Sequence, residues 1–188
     1  MLREFHEKYD KYVFKVDIAK DIDLKTRGVF ATEDIHIGDI LMRIPSAEIL
    51  KGSHIDLTHR LKGMNNEYTR SLPVDMTNFP VLWTPKQLKS LEGCAMRDMI
   101  VSRRKKLMEE LQSESPIDLR NRLLVGSRGF TMDKETVLMV PYADMMNHAK
   151  FPNVDWKYNG ENFVMRAVKE VLKGEQLFDS YGTKTNYE

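Results

Sequence analysis

Two short polar clusters stand out in the last quarter of the chain. The first is Pro141-Tyr142-Ala143-Asp144-Met145-Met146-Asn147-His148, an apolar run that closes on a carboxylate, an amide and an imidazole. The second is Phe178-Asp179-Ser180-Tyr181-Gly182-Thr183-Lys184-Thr185-Asn186, a tyrosine that follows a β-rich run and precedes a glycine and a lysine. By spacing alone, the first reads as a helical turn closed by Asp144 and capped by Asn147. The second reads as a half-buried aromatic at a turn. No phosphate-cradling glycine loop, metalloprotease helix or nucleophile elbow accompanies them. The five histidines lack metal-ligand spacing, and His54 and His59 read as surface residues near a helix start.

Elements on both sides must position these clusters. Residues 13–18, Gly28–Thr32 and Asp39–Ile44 have strand composition, and Pro45 stops the third. From about Ala47 to Leu124 the pattern is helical. Thr84-Pro85 reads as an N-cap with proline at the first helical position, and Ser115-Pro116 opens a helix carrying Ile117, Leu119, Leu123 and Leu124. Ala95, Met99 and Met108, with Ile100 and Leu107 beside them, form an apolar stripe expected in the core. Strand candidates return at Val137–Val140, Val154–Tyr158 and Phe163–Val168, the last two joined across Asn159-Gly160 as a hairpin. The order β, helical, β predicts an α+β fold of short strands and small sheets with a helical insert. Its expected parts are 1–46, 47–124 and 125–188.

The two β portions echo each other. Ala31-Thr-Glu-Asp34-Ile35-His-Ile-Gly38-Asp39-Ile-Leu41 aligns with Ala167-Val-Lys-Glu170-Val171-Leu-Lys-Gly174-Glu175-Gln-Leu177 without a gap. Both read as strand, tight glycine turn, strand. The expectation is two similar units, one at each end of the chain.

Composition excludes several classes. The chain has 188 residues, 29 Lys and Arg against 28 Asp and Glu, and a net charge of +1, so no basic footprint for nucleic acid exists. The run Arg103-Arg104-Lys105-Lys106 reads as a solvated helix face, because Glu109 and Glu110 follow. A lone Cys94 permits no internal disulfide and no cysteine zinc cluster, which favours a reducing compartment, cytoplasm or nucleus first and an organelle left open. No apolar run approaches the ~20 residues of a membrane span, and the first twenty residues are not a signal peptide.

Taken with Thr26-Arg27-Gly28-Val29-Phe30-Ala31, the two clusters form a family pattern. Val140-Pro-Tyr-Ala-Asp-Met-Met-Asn-His148 matches "VPxADxxNH", Ser180–Glu188 resembles "YGxKSNxEL" with Thr185 for serine, and Leu123–Phe130 resembles the preceding "SRxF" segment. Over about residues 13 to 188 the chain resembles the SET-domain protein methyltransferases. The class is the one with a long helical insert, which includes the Rubisco large-subunit lysine methyltransferases and the actin-histidine methyltransferase. The resemblance implies S-adenosylmethionine as cofactor. It implies that the Arg27-Gly28 backbone approaches the methionine part and that Asn147 and His148 hold adenine, largely through backbone groups. Arg128 and Asp144 would be polar groups of the pocket, and Tyr181 would be the catalytic tyrosine. Phe130 and Lys184 would lie on the acceptor side, where an aromatic face suits a lysine stem.

The chain departs from the family at Thr26, where a glycine is usual, and at Lys25, where an acid is frequent. A Cβ at position 26 would crowd the cofactor. Family members continue past the equivalent of Glu188 into an all-helical substrate-binding domain, and the expectation from this sequence is a SET domain without it. Two readings stay open: a protein lysine methyltransferase acting on a protein substrate, or a catalytically silent SET-like module serving as a subunit of a larger assembly. A histidine acceptor is a third reading within the family.

Overall fold

The structure, a computed structural model, describes residues 2–20 and 27–182. In chain order the described elements begin with α1 (Leu2–Tyr9), β1 (Val16–Lys20), β2 (Arg27–Ala31), β3 (Ile40–Pro45) and β4 (Leu50–Gly52). The helices α2 (His54–Gly63), α3 (Glu67–Ser71), α4 (Pro85–Leu88), α5 (Ala95–Leu111) and α6 (Pro116–Arg128) follow. The chain then returns to strands: β5 (Phe130–Thr131), β6 (Val137–Met139), β7 (Asn147–His148), β8 (Val154–Tyr158), β9 (Asn162–Ala167) and β10 (Gln176–Asp179). Two compact units result, one of residues 51–138 and one of 2–50 with 139–188.

The strand-rich unit holds two sheets, ordered β1-β2-β10-β7 and β3-β9-β8. The echo in the sequence explains them. Each copy supplies a hairpin, β1–β2 or β8–β9, and each hairpin takes its third strand from the other copy: β10 joins β2, and β3 joins β9. The exchange is centred on Ile35 and Val171, whose N–H groups donate to each other's carbonyls at 2.9 and 3.1 Å. The surrounding bonds repeat in reciprocal pairs. Gly38 donates to Ala167 O at 2.9 Å, and Gly174 donates to Ala31 O at 2.8 Å. Ala31 donates to Glu175 O and Ala167 to Asp39 O. Side chains obey the same rule: Lys173 N–H donates to Asp34, and Ile37 N–H donates to Glu170. One offset relates all of these residues, so the two copies pair about a local two-fold axis. Ile35, Val171, Val29, Leu41, Phe163 and Leu177 are buried on this arrangement.

The hairpin turn follows from local chemistry. Asn159 Oδ1 accepts from Glu161 N at 3.0 Å and Asn162 N at 2.8 Å, and Gly160 takes a positive φ. The amino-terminal helix α1 was not expected from the sequence. Its Phe5 and Tyr9, one turn apart, are buried with ring centroids 4.8 Å apart. Leu2, Phe5 and Tyr9 recur at helical spacing, so the signal was present in the sequence although the segment is short. The expected strand over 13–18 is also displaced: Lys15 takes φ 62°, and the strand starts after it, at Val16.

In the helical unit, side-chain caps start the helices. Ser53 Oγ accepts from Asp56 N, and the pairs Asn66–Thr69 and Thr84–Gln87 cap each other reciprocally. Leu57 and Leu61 of α2, with Leu119, Leu123 and Leu124 of α6, are buried, and these two helices pack together. The expected stripe on α5 is corrected. Ala95 and Met99 are exposed, and Ile100, Leu107 and Leu111 are the buried face. Packing of α5 on the 80–82 segment and on α6 chooses that face. Arg104 of the basic run faces inward too, with Nε donating to Val81 O at 2.6 Å, while Arg103, Lys105 and Lys106 are exposed. A third sheet is ordered β4-β6-β5.

Gly38 and Gly174, with φ near +93° and +88°, have open space where a Cβ would stand. Only backbone strain then opposes a side chain. Gly38→Ala and Gly174→Ala should each lower unfolding free energy by about 1–2 kcal/mol. Urea midpoints check this, and unchanged midpoints would mean the turns do not need these conformations.

Candidate functional site

The carboxyl-terminal strand β10 lies between β2 and β7, antiparallel to the first and parallel to the second. The parallel step aligns Phe178 with Asn147 and Asp179 with His148. Asn147 also reaches across β10: its Nδ2 donates to Arg27 O at 3.1 Å. An amide side chain thus ties the two outer strands together over the middle one. Asn153 extends the ladder in the same way. Its Nδ2 donates to Gln176 O at 3.0 Å, and its Oδ1 accepts from Phe178 N at 2.7 Å. A side chain that acts as a strand neighbour carries no period in the sequence, so Asn153 was missed.

The segment that leads into β7 is held in an uncommon shape. Tyr142 has φ 73° and ψ −52°, a costly conformation for a bulky residue. It is 1% exposed, its ring stacks on Phe5 at 5.8 Å, and its hydroxyl donates to Asp17 Oδ1 at 3.0 Å. Burial, helped by Asp17, pushes the hydroxyl pKa well above the usual tyrosine range. The contacts of α1 and β1 therefore hold the strained residue in place. A single 3-10 turn, Ala143–Met145, follows, in place of the helical turn expected. Asp144 is buried in it, and its N–H donates to Val140 O at 3.1 Å.

This turn presents the Met146 carbonyl, and the Tyr181 hydroxyl donates to it at 2.5 Å. The Tyr181 backbone N–H donates to His148 Nδ1 at 3.0 Å, and the two rings stack with centroids 5.1 Å apart. Because Nδ1 accepts, the imidazole proton belongs on Nε2. Tyr181 is nonetheless 42% exposed. The site thus consists of an exposed tyrosine with a fixed hydroxyl, an imidazole edge and the Arg27-Gly28 backbone. The hydroxyl and the backbone groups orient and polarise, and the His148 nitrogen that could take a proton, Nδ1, is occupied by the Tyr181 N–H.

The structure brings Arg27 and Gly28 of β2 and Asn147 and His148 of β7 onto the two strands that flank β10, with Tyr181 just past the end of β10 and Asp144 in the turn before β7. Arg128 ends α6, and Phe130, 8% exposed, opens β5; both lie in the helical unit. Thr26 and Lys184 lie outside the described residues. Among the described residues no group of three or more His, Cys, Asp or Glu could hold a metal ion, and no helix is long and apolar enough to cross a membrane.

A profile of the SET domain matches residues 26–182. The chain belongs to the SET domain family. Among curated relatives, this SET domain is 23% identical to N-lysine methyltransferase setd6 of Xenopus laevis, over 93% of the chain and 51% of that protein. It is 28% identical to the Salmo salar setd6 over 74% of the chain and 28% of that protein. The chain therefore spans about half the length of the first of these, or less of the second. Among solved structures, the SET domain of LSMT bound to MeLysine and AdoHcy superposes with a TM-score of 0.79 at 17% identity, over 99% of this chain and 54% of that one. Rubisco LSMT bound to AdoMet gives a TM-score of 0.72 at the same identity, over 99% of this chain and 53% of that one. This likeness is one of fold.

One buried carboxylate in the SET domain sets a pH dependence. Asp179, 5% exposed, has its pKa raised, chiefly by desolvation. A raised carboxylate pKa makes the folded state hold a proton that the unfolded state releases, so stability falls as pH rises from the unfolded value toward the folded one. Asp179→Asn should therefore gain on the parent protein as pH is raised from below about 4 to 7. Thermal midpoints across that range check it; a parent that gains relative to the variant would refute it.

Proposed function

We propose that this SET domain is the methyl-transferring part of a protein lysine methyltransferase that uses S-adenosylmethionine. The observation that carries the proposal is the fixed Tyr181 hydroxyl, donated to Met146 O beside the His148 ring, two residues past the end of β10, the strand that lies between β2 with Gly28 and β7 with Asn147. The names of the setd6 relatives and of the LSMT complexes agree with it.

The chain's own residues fit the cofactor. At Gly28 a Cβ would stand 1.9 Å from Gln176 Nε2 and 3.1 Å from Asn147 Nδ2, so two amide groups converge on a backbone with no side chain between them. Asn147 and His148 form a strand of two residues, and Asn147 braces Arg27. Bound S-adenosylmethionine would supply an activated methyl on a sulfonium, the difficult part of the chemistry. Asn147 and His148 would hold the adenine end, Arg27-Gly28 would line the methionine end, and Asp144 would contribute a polar group.

Transfer to nitrogen needs alignment and a neutral amine more than a strong base. With its proton donated to Met146 O, the Tyr181 hydroxyl would meet the incoming amine through its oxygen, accepting an N–H and orienting the nitrogen lone pair. Desolvation lowers a lysine pKa and favours loss of the ammonium proton to solvent. Phe130 and Lys184 would act on the acceptor side, with Phe130 suited to a lysine stem.

Titration calorimetry with S-adenosylmethionine tests the reading first, and heat of binding is expected. Tyr181→Phe should keep that binding and lose roughly a hundredfold or more in methyl transfer to lysine peptides. Absence of heat at saturating cofactor would favour a silent module. Transfer to histidine peptides alone would overturn the lysine assignment.

A further inference from the structure

Gln176 lies on the same sheet as the cofactor candidates but has no role assigned so far. It sits on β10 opposite Phe30 of β2, one pleat from Gly28 on the same face. Its side chain runs over Gly28, which explains the glycine: a Cβ there would collide with the Gln176 amide at 1.9 Å and with its Cδ at 3.0 Å. The amide nitrogen at the end of this side chain is buried, and among the described residues it has no hydrogen-bond partner. A buried N–H without a partner is costly, and native structures rarely leave one so. A donor of this kind therefore marks a place where an acceptor belongs.

The neighbouring groups do not serve as that acceptor. Asn147 approaches the same point with its own nitrogen, and that nitrogen donates to Arg27 O at 3.1 Å. The Gln176 carbonyl is already taken by Asn153 at 3.0 Å, so the residue's backbone is fixed and its side chain alone is available. We infer that Gln176 is a cofactor-binding residue whose Nε2 donates to the carboxylate of the methionine part of S-adenosylmethionine. The choice of group follows from chemistry. The methionine part offers an ammonium, which only donates, a sulfonium, which does neither, and a carboxylate, which only accepts. An amide N–H beside Arg27-Gly28 can serve only the carboxylate. This inference rests on the cofactor reading of the site.

The test is calorimetric binding of S-adenosylmethionine and of its decarboxylated analogue to the parent chain, Gln176→Leu and Gln176→Glu. Gln176→Leu should weaken S-adenosylmethionine roughly tenfold or more, as for loss of a hydrogen bond to a charged group, and should leave the analogue unchanged. Gln176→Glu puts a carboxylate against a carboxylate and should weaken S-adenosylmethionine further. Gly28→Ala, which displaces the amide, should give the same selective loss and should not add to Gln176→Leu in the double variant. Equal losses for both ligands would make Gln176 a structural residue and overturn the inference. So would no loss for either, or retained affinity in Gln176→Glu. A parent chain that binds neither ligand would overturn the cofactor reading itself, and this inference with it.

Discussion

The mutual hydrogen bonds of Ile35 and Val171 are the constraint from which the strand-rich unit follows. Each residue lies in the turn region of one copy of a strand-turn-strand unit. Pairing them places each copy's last strand against the other copy's hairpin. Neither copy could cover its own hairpin edge, because its third strand leaves across the axis. Exchange satisfies both edges at once, and the reciprocal bonds of Gly38, Gly174, Asp34 and Glu170 hold the turns in register. The site hangs from this pairing. Gly28 faces Gln176 only because β10 joins β2 in that register.

Within the frame, the candidate site is built almost wholly from neutral hydrogen-bonding groups. Asn147 spans three strands, Asn153 substitutes for a missing strand edge, and Tyr181 is tied at both its amide and its hydroxyl. The strained backbone of Tyr142 lies immediately before the turn that aims Met146 O, and it is clasped by Phe5 and Asp17. Strain held at such a point by distant contacts is a means of pre-organisation: the hydroxyl of Tyr181 finds its acceptor already in place. An array of this kind suits a reaction in which the leaving group is supplied with the cofactor and the protein needs to align.

The residues that carry the family pattern were legible because they are contiguous: Val140–His148 and Phe178–Gly182 need no knowledge of the fold to be read. The echo was legible for the same reason, and it anticipated two similar units, although not that they would exchange strands. Other features left no such mark. The α1 helix is only eight residues long, so its apolar spacing at Leu2, Phe5 and Tyr9 covers little more than two turns. The buried face of α5 could not be chosen from its sequence, because Met96, Met99 and Val101 are as apolar as Ile100, Leu107 and Leu111, and only the latter have neighbours to pack on.

The sequence alone determined the strands β2, β3, β6, β8 and β9, the helices that open at Pro85 and Pro116, the glycine turns at positions 38 and 174, and the clusters around Asn147 and Tyr181. Each of these is a property of a few adjacent residues and of backbone sterics. The tertiary structure alone decided the strand exchange, the bracing of Arg27 by Asn147, the strain at Tyr142 and the meeting of Gly28 with the amide of Gln176. These join residues far apart in the chain, and local sequence does not specify how two strands align. The reciprocal pairing around Ile35 and Val171 supplies that alignment.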